Sequence, residues 1–172
     1  MAKLSIIVAP DPRLKRAAEP LARVDRDVRR LMDGMLEAMH GANGIGLAAP
    51  QVGELRRVIV VDVSQPEEPA NPLLMANPEI VWSSDDWVTG EEGCLSLPDH
   101  YADVVRPRAV RFRYHDQDNV VRELEADGLL AKCVQHEIDH LEGVLFVDHL
   151  STLKRNIILR KLTKQKKLLA AS

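Results

Sequence analysis

The chain has 172 residues, of which 28% are charged and 45% hydrophobic, and its net charge is −3; this composition is typical of a folded globular protein and excludes a disordered chain. Two cysteines are too few for a disulfide scaffold, the apolar run near the start is too short for a signal peptide, and no stretch has the length of a membrane span. We therefore expect a single domain over residues 1–172 in the reducing cytoplasm, with no membrane or DNA partner.

The first predicted element is an amphipathic helix near residues 24–40. Apolar residues recur there at helical spacing, with arginine and aspartate between them. Three methionines lie in this apolar stripe, and core packing explains them better than ligand binding does. The glycine-rich segment 41–46 ends the helix and begins a loop.

Strands are predicted for the middle of the chain. The β-branched run at residues 58–63 predicts a buried strand, and residues 77–81 begin another. Residues 109–115 alternate apolar and charged side chains, and residues 120–124 alternate again beyond a turn rich in Asp and Asn, which predicts a hairpin. With helices towards both ends, the pattern predicts an α+β fold with antiparallel sheet.

The most informative segment is the pentapeptide His-Glu-Ile-Asp-His at residues 136–140. Side chains four apart on a helix lie one turn above each other, so His136 and His140 can reach one metal ion. Glu137 lies beside the same site, where a carboxylate can take a proton from metal-bound water. Apolar flanking residues predict a buried helix, in which imidazoles need a partner. The alternative is a surface helix that contains two histidines by chance.

A hydrolytic metal site usually has three protein ligands. Some peptidases place a third histidine six residues after the second, but Phe146 stands there, and no acidic residue follows Asp148 to act as a distant ligand. Cys133 projects from nearly the same helix face as the histidines, although three ligands from one straight helix span about 11 Å and converge poorly. Cys94 can close the site from another strand or loop. Spacing therefore favours Cys94 over Cys133 and leaves both open.

Three segments of the chain resemble the bacterial peptide deformylase family. They are residues 44–51 (Gly-Ile-Gly-Leu-Ala-Ala-Pro-Gln), 92–96 (Glu-Gly-Cys-Leu-Ser) and 135–141 (Gln-His-Glu-Ile-Asp-His-Leu). Their order and separation fit the family, and the opening segment 10–14 is similar. The resemblance implies an α+β deformylase fold in which antiparallel sheets surround the helix that carries the metal ligands. It also implies a hydrolase that removes the formyl group from N-formyl-methionine at the start of newly made polypeptides, releasing formate.

The resemblance also implies roles for individual residues. The implied metal ligands are Cys94, His136 and His140, which would hold one divalent ion, Fe²⁺ in cells, with Zn²⁺, Ni²⁺ or Co²⁺ as substitutes. Glu137 would carry the proton, and the Gln51 side-chain amide and the Leu95 backbone N–H would stabilise the oxyanion.

The implied substrate is a nascent N-formyl-Met polypeptide that lies as an added strand, with its thioether in a pocket. The residues implied to bind it are Ile45, Gly46, Glu92, Gly93, Leu129 and Cys133. Three positions depart from the family pattern: Lys132 replaces an apolar pocket residue, Gly90 a bulkier residue, and Tyr101 an arginine near the peptide exit. These departures leave fine substrate preference open.

The C-terminal segment carries a separate charge pattern. After Asp148 there are seven basic residues and no acidic one, whereas the rest of the chain has 16 basic and 26 acidic residues. This spacing predicts a basic amphipathic helix over residues 152–170. Its apolar stripe would contain Leu150, Leu153, Ile157 and Leu162. The helix either packs on the body as a solvated element or contacts ribosomal RNA, and the resemblance adds support for ribosome docking.

Two other functional classes share part of this pattern. A protein with a structural metal would need a fourth protein ligand, which is not obvious in the sequence, and it would have no use for Glu137 or Gln51. A zinc aminopeptidase or endopeptidase would share the histidine pair. Release of formate from formyl-Met-Ala-Ser, compared with release of methionine from Met-Ala-Ser, distinguishes the three classes.

Overall fold

The computed structural model describes residues 3–171, so the outermost residues of the predicted 1–172 domain lie outside the described range. Its helices are α1 (Arg26–Gly41), α2 (Gly128–Leu141) and α3 (Thr152–Ala171). Its strands are β1 (Gly46–Ala48), β2 (Val58–Val61), β3 (Leu73–Ser83), β4 (Trp87–Cys94), β5 (Leu97–Pro107), β6 (Ala109–His115) and β7 (Val121–Asp127). Within residues 3–171, no helix is long and apolar enough to cross a membrane.

The strands form two antiparallel sheets. Five of them pair in the order β1-β2-β3-β6-β7, and β4 and β5 form a separate two-stranded sheet. Residues of β2 alternate between two hydrophobic clusters: Ile59 packs in the cluster that contains Val134 of α2, and Val58 packs with Met35 of α1. The large sheet is therefore covered by α1 on one face and by α2 on the other, and the α+β prediction is confirmed.

Helix α1 confirms the predicted amphipathic helix, but it begins two residues later than predicted. The Asp25 side chain accepts a 2.9 Å hydrogen bond from the Val28 N–H and so caps the helix. Val24 lies before the cap, where its own N–H donates to the Asn119 side chain.

The predicted hairpin at residues 109–124 is confirmed as strands β6 and β7, which pair in register from Ala109–Asp127 to His115–Val121. The predicted strand at 58–63 ends at Val61 instead, because the Asp62 carboxylate turns to accept hydrogen bonds from the Ser64 N–H and hydroxyl. The segment at 77–81 lies inside the longer strand β3.

Helix α2 carries residues 136–140 and is buried on the sheet side, as its apolar spacing predicts. Asp127 stands at the N-cap, but its side chain makes no capping hydrogen bond. Gly143 follows the helix with a φ of +73°, a conformation that glycine adopts without strain.

Helix α3 lies where the charge pattern predicts it, and the predicted apolar stripe is confirmed at Leu150 and Leu162 but not at its other two positions. Leu153 is 71% exposed and Ile157 is 42% exposed. The face that packs on the body contains Ile158, Leu159 and the buried Leu162. Apolar residues occur on more than one face of this helix, so spacing alone could not select the buried one.

Candidate active site

Three predicted metal ligands from two elements meet at one point. The ligand atoms of Cys94, His136 and His140 lie within 4.8 Å of one another, and the Cys94 Sγ is 3.4 Å from the His140 Nε2. Cys94 ends strand β4, whereas the histidines lie one turn apart on α2. The thiol therefore approaches from a different side than the imidazoles, as a convergent metal site requires.

The second cysteine, Cys133, contacts the backbone of Ile45 and lies outside the ligand cluster. The Cys133 Sγ lies 3.6 Å from the Ile45 carbonyl oxygen, to which its thiol donates. Burial, followed by the nearby Glu137 carboxylate, raises the pKa of this thiol well above its usual value. Cys133 therefore lies in the cavity wall, and its Sγ is not one of the three ligand atoms that meet.

The donor set fits a divalent transition metal. One sulfur and two imidazole nitrogens are the ligands that zinc, iron, cobalt and nickel accept in proteins. Burial, with the nearby His136, lowers the pKa of His140 well below its usual value. At His136, burial is outweighed by hydrogen bonds with Cys94 and Glu92, which raise the pKa of that ring. A metal ion binds the neutral form of each ring, so metal binding and protonation compete at His136. Phe146, which stands where some peptidases have a third histidine, stacks on His136 at 6.2 Å between ring centroids.

A buried charge network orients His136. Its Nδ1 lies 2.9 Å from Glu92 Oε1, and Arg106 donates to both oxygens of the same carboxylate at 2.6 and 2.9 Å. Burial opposes the charge of Glu92, but the bonds with His136 and Arg106 outweigh it and lower the pKa of this carboxyl to about 2. Arg106 also donates to Asp139 at 2.9 Å. A carboxylate behind a ligating histidine fixes the ring orientation.

Glu92 lies in the predicted substrate pocket and also contacts a metal-ligand candidate. It lines the cavity described below, but its carboxylate is bound by Arg106 and His136 rather than free for a substrate. Arg106 was missed by sequence reasoning because nothing in a strand pattern marks one arginine as buried. Its side chain is only 7% exposed.

Replacing Arg106 with Met should lower the free energy of unfolding by about 3–5 kcal/mol, because it leaves the buried Glu92 carboxylate without its cation. Arg108→Met is the matched control: Arg108 pairs with Asp86, and both side chains are largely exposed. That control should cost less than about 1 kcal/mol. Urea unfolding of both variants checks the difference, and equal losses would contradict the role assigned to the buried pair.

Glu137 is buried beside the metal ligands. Its Oε1 has no hydrogen-bond partner among residues 3–171 and lies 4.0 Å from the His140 Nε2. Burial raises the pKa of this carboxyl to about 7. Gly46 makes room for it: a Cβ there would lie 2.6 Å from Glu137 Oε2 and 2.7 Å from the Cys133 Sγ. Glu137 can therefore exchange a proton near neutral pH.

Gln51 is held rigidly against the same cluster. Its Oε1 accepts a 2.9 Å bond from the Ala48 N–H, which directs the amide nitrogen to the Ser96 hydroxyl at 3.0 Å and towards the Cys94 Sγ at 3.4 Å. Ser96 is fully buried and was not singled out as a site residue from the sequence. The Gln51 amide is therefore an oriented hydrogen-bond donor at the ligand cluster.

A cavity of about 440 Å³ lies in front of these groups. It is lined by all the residues predicted to bind substrate and by the predicted catalytic residues: Ile45, Gly46, Gln51, Glu92, Gly93, Leu95, Leu129, Cys133 and Glu137. Strand β1 lies at an edge of the large sheet, and β4 belongs to the two-stranded sheet. The cavity thus lies beside strands whose edges can accept an extended peptide.

A family model described as polypeptide deformylase matches residues 3–156. The chain belongs to the polypeptide deformylase family. A peptide deformylase of Methylocella silvestris is 55% identical over 166 residues, which cover 95% of this chain and 85% of the relative. One from Alkalilimnicola ehrlichii is 56% identical over 164 residues, covering 95% and 91%. The family resemblance of the three sequence segments is thereby confirmed.

Solved structures agree with this assignment. The crystal structure of peptide deformylase from Ehrlichia chaffeensis superposes with a TM-score of 0.92 at 38% identity, covering 97% of this chain and 98% of that one. Peptide deformylases are metal-dependent hydrolases that remove N-formyl groups from nascent polypeptides, and the chain is such an enzyme.

Proposed function

We propose that Cys94, His136 and His140 hold the divalent ion of this deformylase and that Glu137 performs the proton transfers. The observation that carries the proposal is the meeting of one thiol and two imidazoles within 4.8 Å, beside a buried carboxylate. When bound, the ion supplies Lewis acidity, which polarises the formyl carbonyl and makes water nucleophilic at neutral pH. The chain is proposed to act as a single domain over residues 1–172.

Glu137 is proposed to take a proton as water attacks the formyl carbon. The same carboxyl then gives that proton to the nitrogen of the departing amine as the C–N bond breaks, and formate is released. A carboxyl with a pKa near 7 suits both steps, because it accepts and donates protons with little penalty.

The developing oxyanion is proposed to bind the Gln51 side-chain amide and the Leu95 N–H. The Ala48 and Ser96 contacts support this role, because they hold the Gln51 amide in place before the reaction. Loss of one such donor typically costs on the order of 100-fold or more in rate.

The peptide is proposed to lie in the cleft as an added strand, with backbone contacts at Ile45, Gly46 and Gly93. Its first side chain would enter the cavity beside Leu129 and Cys133. The Ehrlichia chaffeensis deformylase was also solved in complex with actinonin, with a TM-score of 0.91 to this chain. We propose that actinonin competes for the same cleft.

Ferrous iron is the proposed ion in cells, with Zn²⁺, Ni²⁺ or Co²⁺ as substitutes, and the cytoplasm is the proposed location. The thiolate and imidazole donors support the choice of metal, because they suit all four ions. The two free cysteines support a reducing compartment. A thiolate beside ferrous iron is open to oxidation. Elemental analysis of protein purified without oxygen tests the assignment of the metal.

The proposed activity is tested by measuring formate release from formyl-Met-Ala-Ser and methionine release from Met-Ala-Ser on the same metal-loaded sample. Formate release alone supports the deformylase. Methionine release alone would overturn the proposal in favour of an aminopeptidase.

We also propose that α3 contacts ribosomal RNA. The support is its charge: all seven charged residues of the helix are basic, and beyond Leu162 most of its side chains are exposed. Charge reversal of Lys161, Lys164 and Lys167 to glutamate should weaken ribosome co-sedimentation and flatten its salt dependence, because fewer counterions are released on binding. The reversal leaves the buried Leu162 in place. Co-sedimentation at low and high salt is the measurement.

Turnover of formyl-Met-Ala-Ser is the control, since α3 lies outside the catalytic cavity. Exchange of Lys161, Lys164 and Lys167 for arginine keeps the charge and should retain binding. If the glutamate variant sediments like the wild type at both salt concentrations, α3 is only a solvated helix that packs on the body.

A further inference from the structure

A second cavity adjoins the catalytic one. It has a volume of about 280 Å³ and lies on the far side of a wall that both cavities share. The wall is formed by Glu92, Leu129 and Lys132, which line both spaces. The depth of the catalytic cavity and the polarity of its wall therefore depend on these three side chains.

Lys132 brings a positive charge to this wall. It lies on α2 one turn before His136, and its ammonium donates a 2.9 Å hydrogen bond to the Glu91 carbonyl oxygen. Within residues 3–171, it forms no ion pair with a carboxylate. The carboxylate of the shared wall, Glu92, is already bound by Arg106 and His136. An ammonium has three donors, so Lys132 has donors left for a ligand.

Gly90 leaves space beside the lysine stem. A Cβ at this position would lie 3.7 Å from the Lys132 Cδ and 3.8 Å from its Nζ. These are ordinary contact distances, so any larger side chain would press on the lysine and fill the second cavity. With glycine there, the lysine stem has open space on this side.

Apolar side chains flank Lys132 in the catalytic cavity. Leu129 and Cys133 flank it on α2, and Ile45 faces them across the cleft. A substrate side chain in this part of the cavity would therefore contact apolar side chains along its stem and the Lys132 ammonium at its tip. This arrangement favours a substrate side chain with an apolar stem and a strong hydrogen-bond acceptor at its tip.

We propose that Lys132 determines side-chain specificity in this deformylase and that it admits formyl peptides whose first residue is methionine sulfoxide. The sulfoxide oxygen accepts a hydrogen bond from the Lys132 ammonium, while the methylene stem packs on Leu129, Cys133 and Ile45. The inference rests on the proposed substrate site, which places the first side chain in the same cavity. The enzyme would then deformylate peptides whose initiator methionine has already been oxidised.

The test compares three substrates that differ only at the tip of the first side chain: formyl-methionine sulfoxide-Ala-Ser, formyl-Met-Ala-Ser and formyl-norleucine-Ala-Ser. Formate release gives kcat/KM for each with metal-loaded wild type, Lys132→Met and Lys132→Arg. Lys132→Met should lower the sulfoxide-to-norleucine ratio of kcat/KM by about tenfold or more, as expected for loss of one hydrogen bond to a charged group. Lys132→Arg should keep most of the ratio, since it keeps a cationic donor.

Lys161→Met, on the surface of α3, is the matched control and should leave the ratio unchanged. A ratio that is equal in wild type and Lys132→Met would overturn the inference while formyl-Met turnover still supports the deformylase. Absence of formate release from all three substrates by the wild type would overturn the proposed substrate site itself. Because the readout is a ratio of substrates, a general loss of activity in one variant does not mimic the expected result.

Discussion

Glu137→Gln is expected to lower kcat/KM for formyl-Met-Ala-Ser by about 10²–10⁴-fold, the range that a positioned acid–base group contributes. Glutamine fills the same buried space and can still form hydrogen bonds, but it cannot take the proton from water or return it to the amine. The metal should stay bound, because the ligand atoms belong to Cys94, His136 and His140. Turnover and metal content are to be measured on one sample.

Glu142→Gln is a matched control for Glu137→Gln. Glu142 follows the same helix, but its exposed carboxylate pairs with Arg57 on the surface. That variant should retain wild-type turnover. If Glu137→Gln also retains turnover near that of the wild type, another group carries the proton. If it loses metal together with activity, Glu137 supports the metal site rather than the proton transfer.

Elements with a strong local pattern were predictable from the sequence. Strand β6 alternates apolar and charged residues, and α1 shows a regular apolar stripe, so each reveals its buried face. Strand β7 was found through its alternation and the turn before it, although only Ala126 of this strand is buried. The hairpin β4–β5 was not predicted. Gly90 and Gly93 interrupt β4, and both strands expose much of one face, so neither shows the apolar alternation that predicts a strand.

The site could be predicted only in part, because some of its residues come together only through the fold. His136 and His140 lie on one helix, so their spacing in sequence fixes their spacing in space. Cys94 is remote in the chain, so spacing alone leaves Cys133 as a rival ligand, and only the family resemblance favours Cys94 decisively. Arg106 and Ser96 support the site from β5 and the turn before it, and contacts of that kind depend on strand pairing.

Cys94→Ala is expected to weaken metal binding by more than about 100-fold. Loss of a group that only supports a ligand costs about 10–100-fold, and loss of a ligand itself should exceed that. Cys133→Ala should keep the metal, because its thiol contacts the Ile45 carbonyl and lies apart from the ligand cluster. It should instead cost about 1 kcal/mol of stability through the small space that it opens in the cavity wall.

The two variants control for each other, since each removes one sulfur from the same cavity. Metal content after dialysis against a chelator, measured on both proteins, separates a ligand from a wall residue. Urea unfolding of the metal-free proteins then isolates the packing effect, which should be found in Cys133→Ala. Metal loss confined to Cys133→Ala would reverse the assignment of the third ligand. Equal loss in both would mean that the metal site depends on the packing of the whole cavity rather than on one thiolate.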